Sequence, residues 1–237
     1  MFDRSADLYD ALYSWKDYGD EVARITRLIE ELHPAAKTFL DVACGTGRHL
    51  ELLRERFEVE GVDLDPALLS IAAERNPGVP LHEGDMISFD LSRTFDVVAC
   101  LFSSIGYVET AQNLSTACAS LSKHVAPGGI LLLEPWLTPD GYEEGHVGFL
   151  TVDEPELKIA RINTSQRDGD VSILNFSYLV GTPAGIEHFT EDHHLGLFTD
   201  EQYRDALTAA GLELQKDGDL MGRGLYVAVN PEPPPSR

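Results

Sequence analysis

The spacing of apolar and polar positions changes twice along the chain. Between residues 5 and 32, Tyr9 and Tyr13 stand four apart, and Val22, Ile25, Ile29 and Leu32 recur at helical spacing. This predicts helix with one buried stripe, with Asp17 as an N-cap. Beyond His33-Pro34 the pattern becomes short apolar runs alternating with helical stretches: Thr38 to Val42, Val59 to Val62, Val79 to His82, Phe95 to Leu101 and Gly129 to Leu133. Each run is too uniformly apolar for a strand with one wet face. The expectation is an α/β fold with a doubly wound parallel sheet covered on both sides.

Residues 136 to 196 break that rhythm. Lys158 to Ser165 and Val171 to Tyr178 alternate apolar with polar around Arg167-Asp168-Gly169-Asp170, which predicts an antiparallel meander inserted after the fifth strand. Thr199 and Gln202 form a capping box for a helix ending at Gly211, and Leu212 to Gln215 and Leu225 to Val229 read as two closing strands. The chain divides accordingly into residues 1–135, with the N-terminal helices and the ligand-binding core, an insertion at 136–197, a return to the core at 198–230 and a proline-rich tail at 231–237 expected to be disordered. No internal repeat is present.

Charge narrows the partners. Of 237 residues, 18 are Lys or Arg and 40 are Asp or Glu, a net charge of −22, which repels nucleic acid and acidic lipid surfaces. No apolar run reaches the length of a membrane span, the opening residues lack a leader pattern, and Cys44, Cys100 and Cys118 are too scattered for a disulfide framework or a zinc site. A cytoplasmic protein with reduced thiols is expected.

The strongest local feature is Phe39-Leu40-Asp41-Val42-Ala43-Cys44-Gly45-Thr46-Gly47-Arg48-His49, a strand entering a glycine loop that opens a helix. A dinucleotide fingerprint would carry a third glycine where this chain has Leu50. Three carboxylates add meaning: Asp41 precedes the loop, Asp63 ends the second strand and Asp85 ends the third. In a doubly wound sheet these lie at neighbouring carboxyl ends, where ligands bind. Asp63 is placed for ribose hydroxyls, and Asp85 beside Met86 for an adenine amino group. Asp41 would repel phosphate and welcome the ammonium and sulfonium of S-adenosylmethionine (SAM). The plainer reading makes these acids helix caps and turn formers, as Asp63-Leu64-Asp65-Pro66 suggests.

Leu40-Asp41-Val42-Ala43-Cys44-Gly45-Thr46-Gly47, Gly61-Val62-Asp63-Leu64-Asp65, Glu83-Gly84-Asp85-Met86 and Pro127-Gly128-Gly129 together resemble the successive motifs of class I SAM-dependent methyltransferases. The resemblance implies a Rossmann-like sheet of seven strands with the last antiparallel, and the methionine end of SAM over the glycine loop. A narrower likeness extends over Ala6-Asp7-Leu8-Tyr9-Asp10, Lys16-Asp17-Tyr18, Leu101-Phe102-Ser103-Ser104-Ile105-Gly106-Tyr107, Glu134-Pro135-Trp136 and Gly222-Arg223-Gly224-Leu225. These segments resemble N,N-dimethyltransferases of dTDP-linked amino sugars. Asp63 stands where that pattern leads one to expect Glu, and either acid can hold a ribose. The likeness implies an N-terminal helix closing over the cofactor through Tyr13, and a β insertion that helps hold substrate and form a homodimer. Candidate cofactor contacts are Tyr13, Asp41, Ala43, Gly45, Gly47, Asp63, Leu64, Asp85, Met86 and Phe102.

Transfer to an amine needs alignment, exclusion of water and a route for one proton. Tyr13, Tyr107, Glu134 and His193 are the candidate catalytic groups. Tyr107 follows strand four, Glu134 ends strand five, and one of the adjacent His193 and His194 must face inward. The same alternation argues against a metal held by that pair. Tyr107 and Trp136 are candidate substrate contacts, with Arg161, Arg167 and Arg223 candidates for a diphosphate. The alternatives are methylation of another small metabolite on nitrogen or oxygen, and a SAM-binding regulatory protein without turnover. The run Phe102-Ser103-Ser104-Ile105-Gly106-Tyr107 lacks the Asn/Asp-Pro-Pro-Tyr pattern of nucleic-acid amino-methylating enzymes.

Overall fold

The computed structural model describes residues 4–218 and 222–232. Seven strands form the larger sheet: β1 (Thr38–Val42), β2 (Glu58–Asp63), β3 (Leu81–Glu83), β4 (Phe95–Cys100), β5 (Val125–Leu133), β10 (Glu213–Gly218) and β11 (Leu225–Val229). Their order is β10-β11-β5-β4-β1-β2-β3. β1 to β5 run parallel, and β11 runs antiparallel to both β5 and β10. The order reverses between β1 and β4, so the chain leaves a crevice beyond their carboxyl ends, where doubly wound sheets bind ligands.

Alternation along each strand feeds a core on either face. Phe39, Val97, Ala99 and Leu132 pack with Ile25, Ile29, Leu50 and Leu53, from α2 (Tyr18–Leu32) and α3 (Arg48–Leu53). Leu40, Val98, Cys100 and Leu131 face the other way, against α5 (Ala111–Ser122) and α6 (Asp200–Ala209) through Leu114, Cys118, Leu121, Tyr203 and Leu207. The capping box at Thr199 and Gln202 opens α6. No helix among the described residues is long and apolar enough to cross a membrane.

The meander is larger than the sequence pattern indicates. It is a four-stranded antiparallel sheet in the order β6 (Val147–Asp153), β7 (Lys158–Asp168), β8 (Val171–Thr182) and β9 (Gly185–Gly196). β9 escapes hydrophobic periodicity because its buried positions, Phe189, Glu191, His193 and Leu195, are half polar. The inner face of this sheet carries a third cluster, in which Ile159, Phe176, Tyr178 and Phe189 pack with Leu12 of α1 (Tyr9–Leu12).

The helix expected over residues 5–32 is interrupted: a 3-10 turn at Ala6–Leu8 leads into α1, and α2 starts afresh at Tyr18. Asp17 accepts a hydrogen bond from Asp20 N at 2.9 Å and so caps the second helix, while the buried Lys16 ammonium turns inward to Glu21. The break lets the first segment cross the sheet ends. Ser5 N and Arg4 N donate to Glu191 Oε1 of β9 at 2.9 and 2.8 Å. Asp10 accepts from Thr46 Oγ1 at 2.8 Å and pairs with Arg48 and Arg75. One short strap thus joins the small sheet to the glycine loop.

Gly47 caps α3 at φ +72°, and a Cβ there would lie 2.5 Å from Asn76 Nδ2, which already donates to Gly47 O at 3.0 Å. Gly47→Ala is expected to cost at least about 1–2 kcal/mol from the left-handed backbone alone, read as a lower urea midpoint at unchanged m-value.

Candidate active site

Three adjoining cavities of about 340, 470 and 30 Å³ occupy the crevice. Tyr9 and Ser104 contribute to the walls of all three, and Tyr107 to the two larger ones. Tyr9, rather than the expected Tyr13, is therefore the N-terminal tyrosine at the junction. Its four-residue spacing from Tyr13 was visible, but which of the two faces the loop depends on where the helix breaks. Ser104, in the turn after β4, carried no separate sequence signal.

The first cavity is lined by Ala43, Gly45, Asp63, Leu64, Asp85 and Met86, with further apolar side chains, the polar Glu109, Thr110 and Asn113, and no basic residue. Asp63 is 7 % exposed, and each of its oxygens accepts one backbone N–H: Oδ2 from Gly45 at 2.7 Å and Oδ1 from Asp65 at 2.9 Å. Burial raises its pKa above the ordinary carboxylate value, partly offset by those bonds. Each oxygen keeps further acceptor capacity, so the capping role leaves room for a ligand. Asp85 likewise accepts from Ile87 N at 3.0 Å while lining the cavity. A Cβ on Gly45 would meet no atom within 4 Å.

Asp41 and Phe102 line the smallest cavity with Ala43 and Gly45. Asp41 is 1 % exposed, and its Oδ2 is buried without a hydrogen-bond partner. Burial, reinforced by Asp63, pushes its pKa up to about 8. A buried acceptor without a donor is costly, and an ammonium is the complement it lacks. The first cavity offers Asp63, Asp85 and Glu109 and no cation, and in the smallest Asp41 sits beside an Arg48 that Asp10 already pairs; this suits a nucleoside with a positively charged tail better than a pyrophosphate. The donor set therefore fits SAM.

The second cavity collects Tyr13, Phe102, Tyr107, Trp136, Arg161, Phe176, His193 and Arg223 beneath the small sheet. Tyr107 Oη and His193 Nδ1 are 2.7 Å apart. His193 is buried and His194 exposed. Burial lowers the His193 pKa, opposed by Glu191, so the imidazole is neutral near pH 7 and a weak base. Tyr13 lies here, with its hydroxyl 3.4 Å from Arg161 Nη1 and its ring edge-on to Phe102; it lines neither of the other cavities. The Trp136 indole donates to Ser172 Oγ at 2.9 Å and is covered by the Arg223 guanidinium at 4.7 Å.

Three expected residues fall elsewhere. Gly47 lines none of the cavities and serves the turn. Glu134 is 3 % exposed, lines none of them, and accepts from Phe102 N; burial pushes its pKa up to about 7. Its place at the end of β5 was legible, but its carboxylate holds the N–H of Phe102, in the turn where Phe102 and Ser103 are at positive φ, and lines no cavity. Arg167 turns to Gly169 O and Pro139 O at 2.7 and 3.2 Å.

Sheet order, glycine loop and acidic crevice define a class I SAM-dependent methyltransferase with SAM as its cofactor, and residues 39–129 match the family described as a methyltransferase domain. The chain is 41 % identical to dTDP-3-amino-3,6-dideoxy-alpha-D-glucopyranose N,N-dimethyltransferase of Streptomyces fradiae, over 94 % of this chain and 90 % of that one. It is 39 % identical to dTDP-3-amino-3,4,6-trideoxy-alpha-D-glucopyranose N,N-dimethyltransferase of Streptomyces venezuelae, over 94 % and 97 %. The SAM-bound structure of CalS10, an amino pentose methyltransferase from Micromonospora echinaspora, superposes with a TM-score of 0.86 at 44 % identity, covering 94 % and 96 % of the two chains. The chain belongs to this family of sugar N-methyltransferases.

The raised Asp41 pKa sets a pH dependence. The folded protein holds that proton more tightly than the unfolded chain, so the stabilisation is complete below about pH 4. It is lost as pH rises through about 8. Without cofactor, stability should fall across that window by up to about 1.4 kcal/mol per pH unit, and Asp41→Asn should make the fall shallower in thermal melts from pH 5 to 8. Asp63→Ala should weaken SAM binding by about 1–3 kcal/mol, measured by calorimetry.

Proposed function

We propose that this enzyme methylates the amino nitrogen of a nucleotide-linked amino sugar, a dTDP-amino sugar in keeping with its named relatives. The observation that carries the substrate class is charge placement. In a chain of net charge −22, Arg161 and Arg223 both line the second cavity, and neither forms an ion pair with a carboxylate among the described residues. Arg161 Nε is buried without a hydrogen-bond partner, and its guanidinium lies 4.7 Å from the Phe176 ring centroid. A half-buried guanidinium with no carboxylate partner in so acidic a chain marks a place for an anionic ligand, and a diphosphate matches two guanidinium groups.

Bound SAM supplies a methyl group on cationic sulfur; the amine lone pair forms the N–C bond as the S–C pair returns to sulfur, leaving a thioether and an ammonium. The protein aligns and dries the reactants. Tyr107 stands between the cofactor and substrate cavities, the aromatic side chains exclude water, and the strap from Ser5 to Asp10 covers the junction. The unpaired, buried Cys44, Cys100 and Cys118 suit a reducing cytoplasm. The outer face of the small sheet exposes Val147, Phe149, Ile162, Leu179 and Ile186, which supports self-association as a homodimer through that face.

Purified protein with methyl-labelled SAM should add methyl masses to dTDP-3-amino or dTDP-4-amino sugars and not to unrelated amines or phenols; label on the latter alone would discard the sugar. Arg161→Met should raise KM for the nucleotide sugar by about 10- to 100-fold, the worth of one charged hydrogen bond, and leave an amino sugar lacking the nucleotide unaffected. Light scattering should report a dimer that Phe149→Asp dissociates.

A further inference from the structure

We infer that Tyr107 and His193 form a single acceptor that recognises the N–H of the reacting amine and so ends the reaction at a tertiary amine. The inference rests on the amino-sugar reading. Tyr107 lines both large cavities, as Tyr9 and Ser104 do, and its hydroxyl lies 2.7 Å from His193 Nδ1. The direction of that bond follows from what surrounds each partner. His193 Nε2 lies 3.8 Å from Glu191 Oε2, and a carboxylate there favours the tautomer with hydrogen on Nε2, leaving Nδ1 a lone pair. Arg161 opposes a positive charge on the ring, and the Phe176 ring stands edge-on to it, with centroids 5.1 Å apart. Burial keeps the Tyr107 phenol protonated, and Tyr13, Tyr178, Glu191 and Asp63 act in the same direction. The phenol hydrogen is therefore committed to His193, and the Tyr107 oxygen meets the cavity as an acceptor.

An acceptor at that place selects by counting hydrogens. A nucleophilic amine must turn its lone pair toward the methyl donor and an N–H toward Tyr107. A primary amine can do both, and so can a secondary amine after the first ammonium has released a proton to solvent. A tertiary amine has the lone pair but no N–H, and the only hydrogen on Tyr107 already belongs to His193; such an amine would press a methyl group onto the buried Tyr107 oxygen and leave that acceptor unpaired, a larger penalty than deleting the hydroxyl. His193 is on this account a positioning residue acting through Tyr107, and it carries no proton itself.

Two measurements on the full chain test this. In ¹⁵N spectra of histidine-labelled protein, with the His193 signals assigned by their loss in His193→Leu, His193 should remain the neutral Nε2–H tautomer from pH 5.5 to 9. The Nδ1–H tautomer, or titration within that range, would overturn the proposal whatever the substrate. In turnover, the wild type should convert primary and N-monomethyl amino sugars and leave the N,N-dimethyl compound unchanged. Tyr107→Phe and His193→Leu should each lower kcat by about five- to tenfold, the worth of one hydrogen bond, with KM little changed. The double variant should match Tyr107→Phe. A third methyl mass from wild type, or additive losses, would sink the pair. No product from any amino sugar would instead refute the substrate reading, with the tautomer still deciding the pair.

Discussion

The site depends on one buried carboxylate serving two chain segments. Asp63 closes β2, and by accepting from Gly45 N and Asp65 N it fixes the glycine loop after β1 against the turn that begins α4 (Pro66–Arg75). Parallel register brings these ends together, with Val42 opposite Val62 and Cys44 N donating to Val62 O at 3.0 Å. Ala43 is held there at φ +60°, a conformation an L residue keeps only where its surroundings over-determine it. Choosing between helix cap and ligand contact is unnecessary for such a residue. Two backbone donors spend part of the acceptor capacity of Asp63, and the rest faces the cavity.

Charge is partitioned to the same end. A chain so acidic can hold its cations in ion pairs, and Arg48 and Arg75 beside the glycine loop are held that way by Asp10. These pairs tie elements together and leave little net field. Arg161 and Arg223 are spent differently, lying over aromatic rings beside the second cavity. The first cavity has carboxylates and no cations, the second has cations with one carboxylate at its rim, Glu143. The crevice is thus polarised along its length, with Tyr107 on the wall of both large cavities, a layout that suits a cationic donor at one end and an anionic acceptor at the other.

Much of this was legible in the sequence, and the remainder was hidden for identifiable reasons. The central parallel strands announce themselves because strands buried on both faces are largely apolar, whereas β3, Leu81-His82-Glu83 at the sheet edge, is only partly buried; the loop with Asp41, Asp63 and Asp85 is encoded within about fifty residues of strand–turn–helix repeats. The bounds of β9 were hard to read because Glu191 and His193 occupy its inward positions, although the alternation that turns one of His193 and His194 inward was legible. The strap was illegible because its anchors, Ser5 to Glu191 and Asp10 to Arg75, join residues 186 and 65 positions apart, with no local pattern to mark them. Glu134 shows the limit of reasoning from position alone: the end of a central strand is the right neighbourhood, but its carboxylate points to the backbone of Phe102.

That last contact also links the two halves of the site. Phe102 and Ser103 adopt left-handed backbone at φ +53° and +60°, a turn costing about 1–3 kcal/mol at each residue unless the surroundings hold it. Glu134 holds Phe102 N, Ser103 Oγ donates to Pro135 O at 2.7 Å, and Arg223 Nη1 donates to Ser103 Oγ at 3.1 Å. Phe102 walls both the smallest cavity and the second one. An anion that engaged Arg223 would draw on the same guanidinium that steadies this turn. The second cavity, through Arg223 and Ser103, and the smallest, through Phe102, thus share one hydrogen-bonded turn.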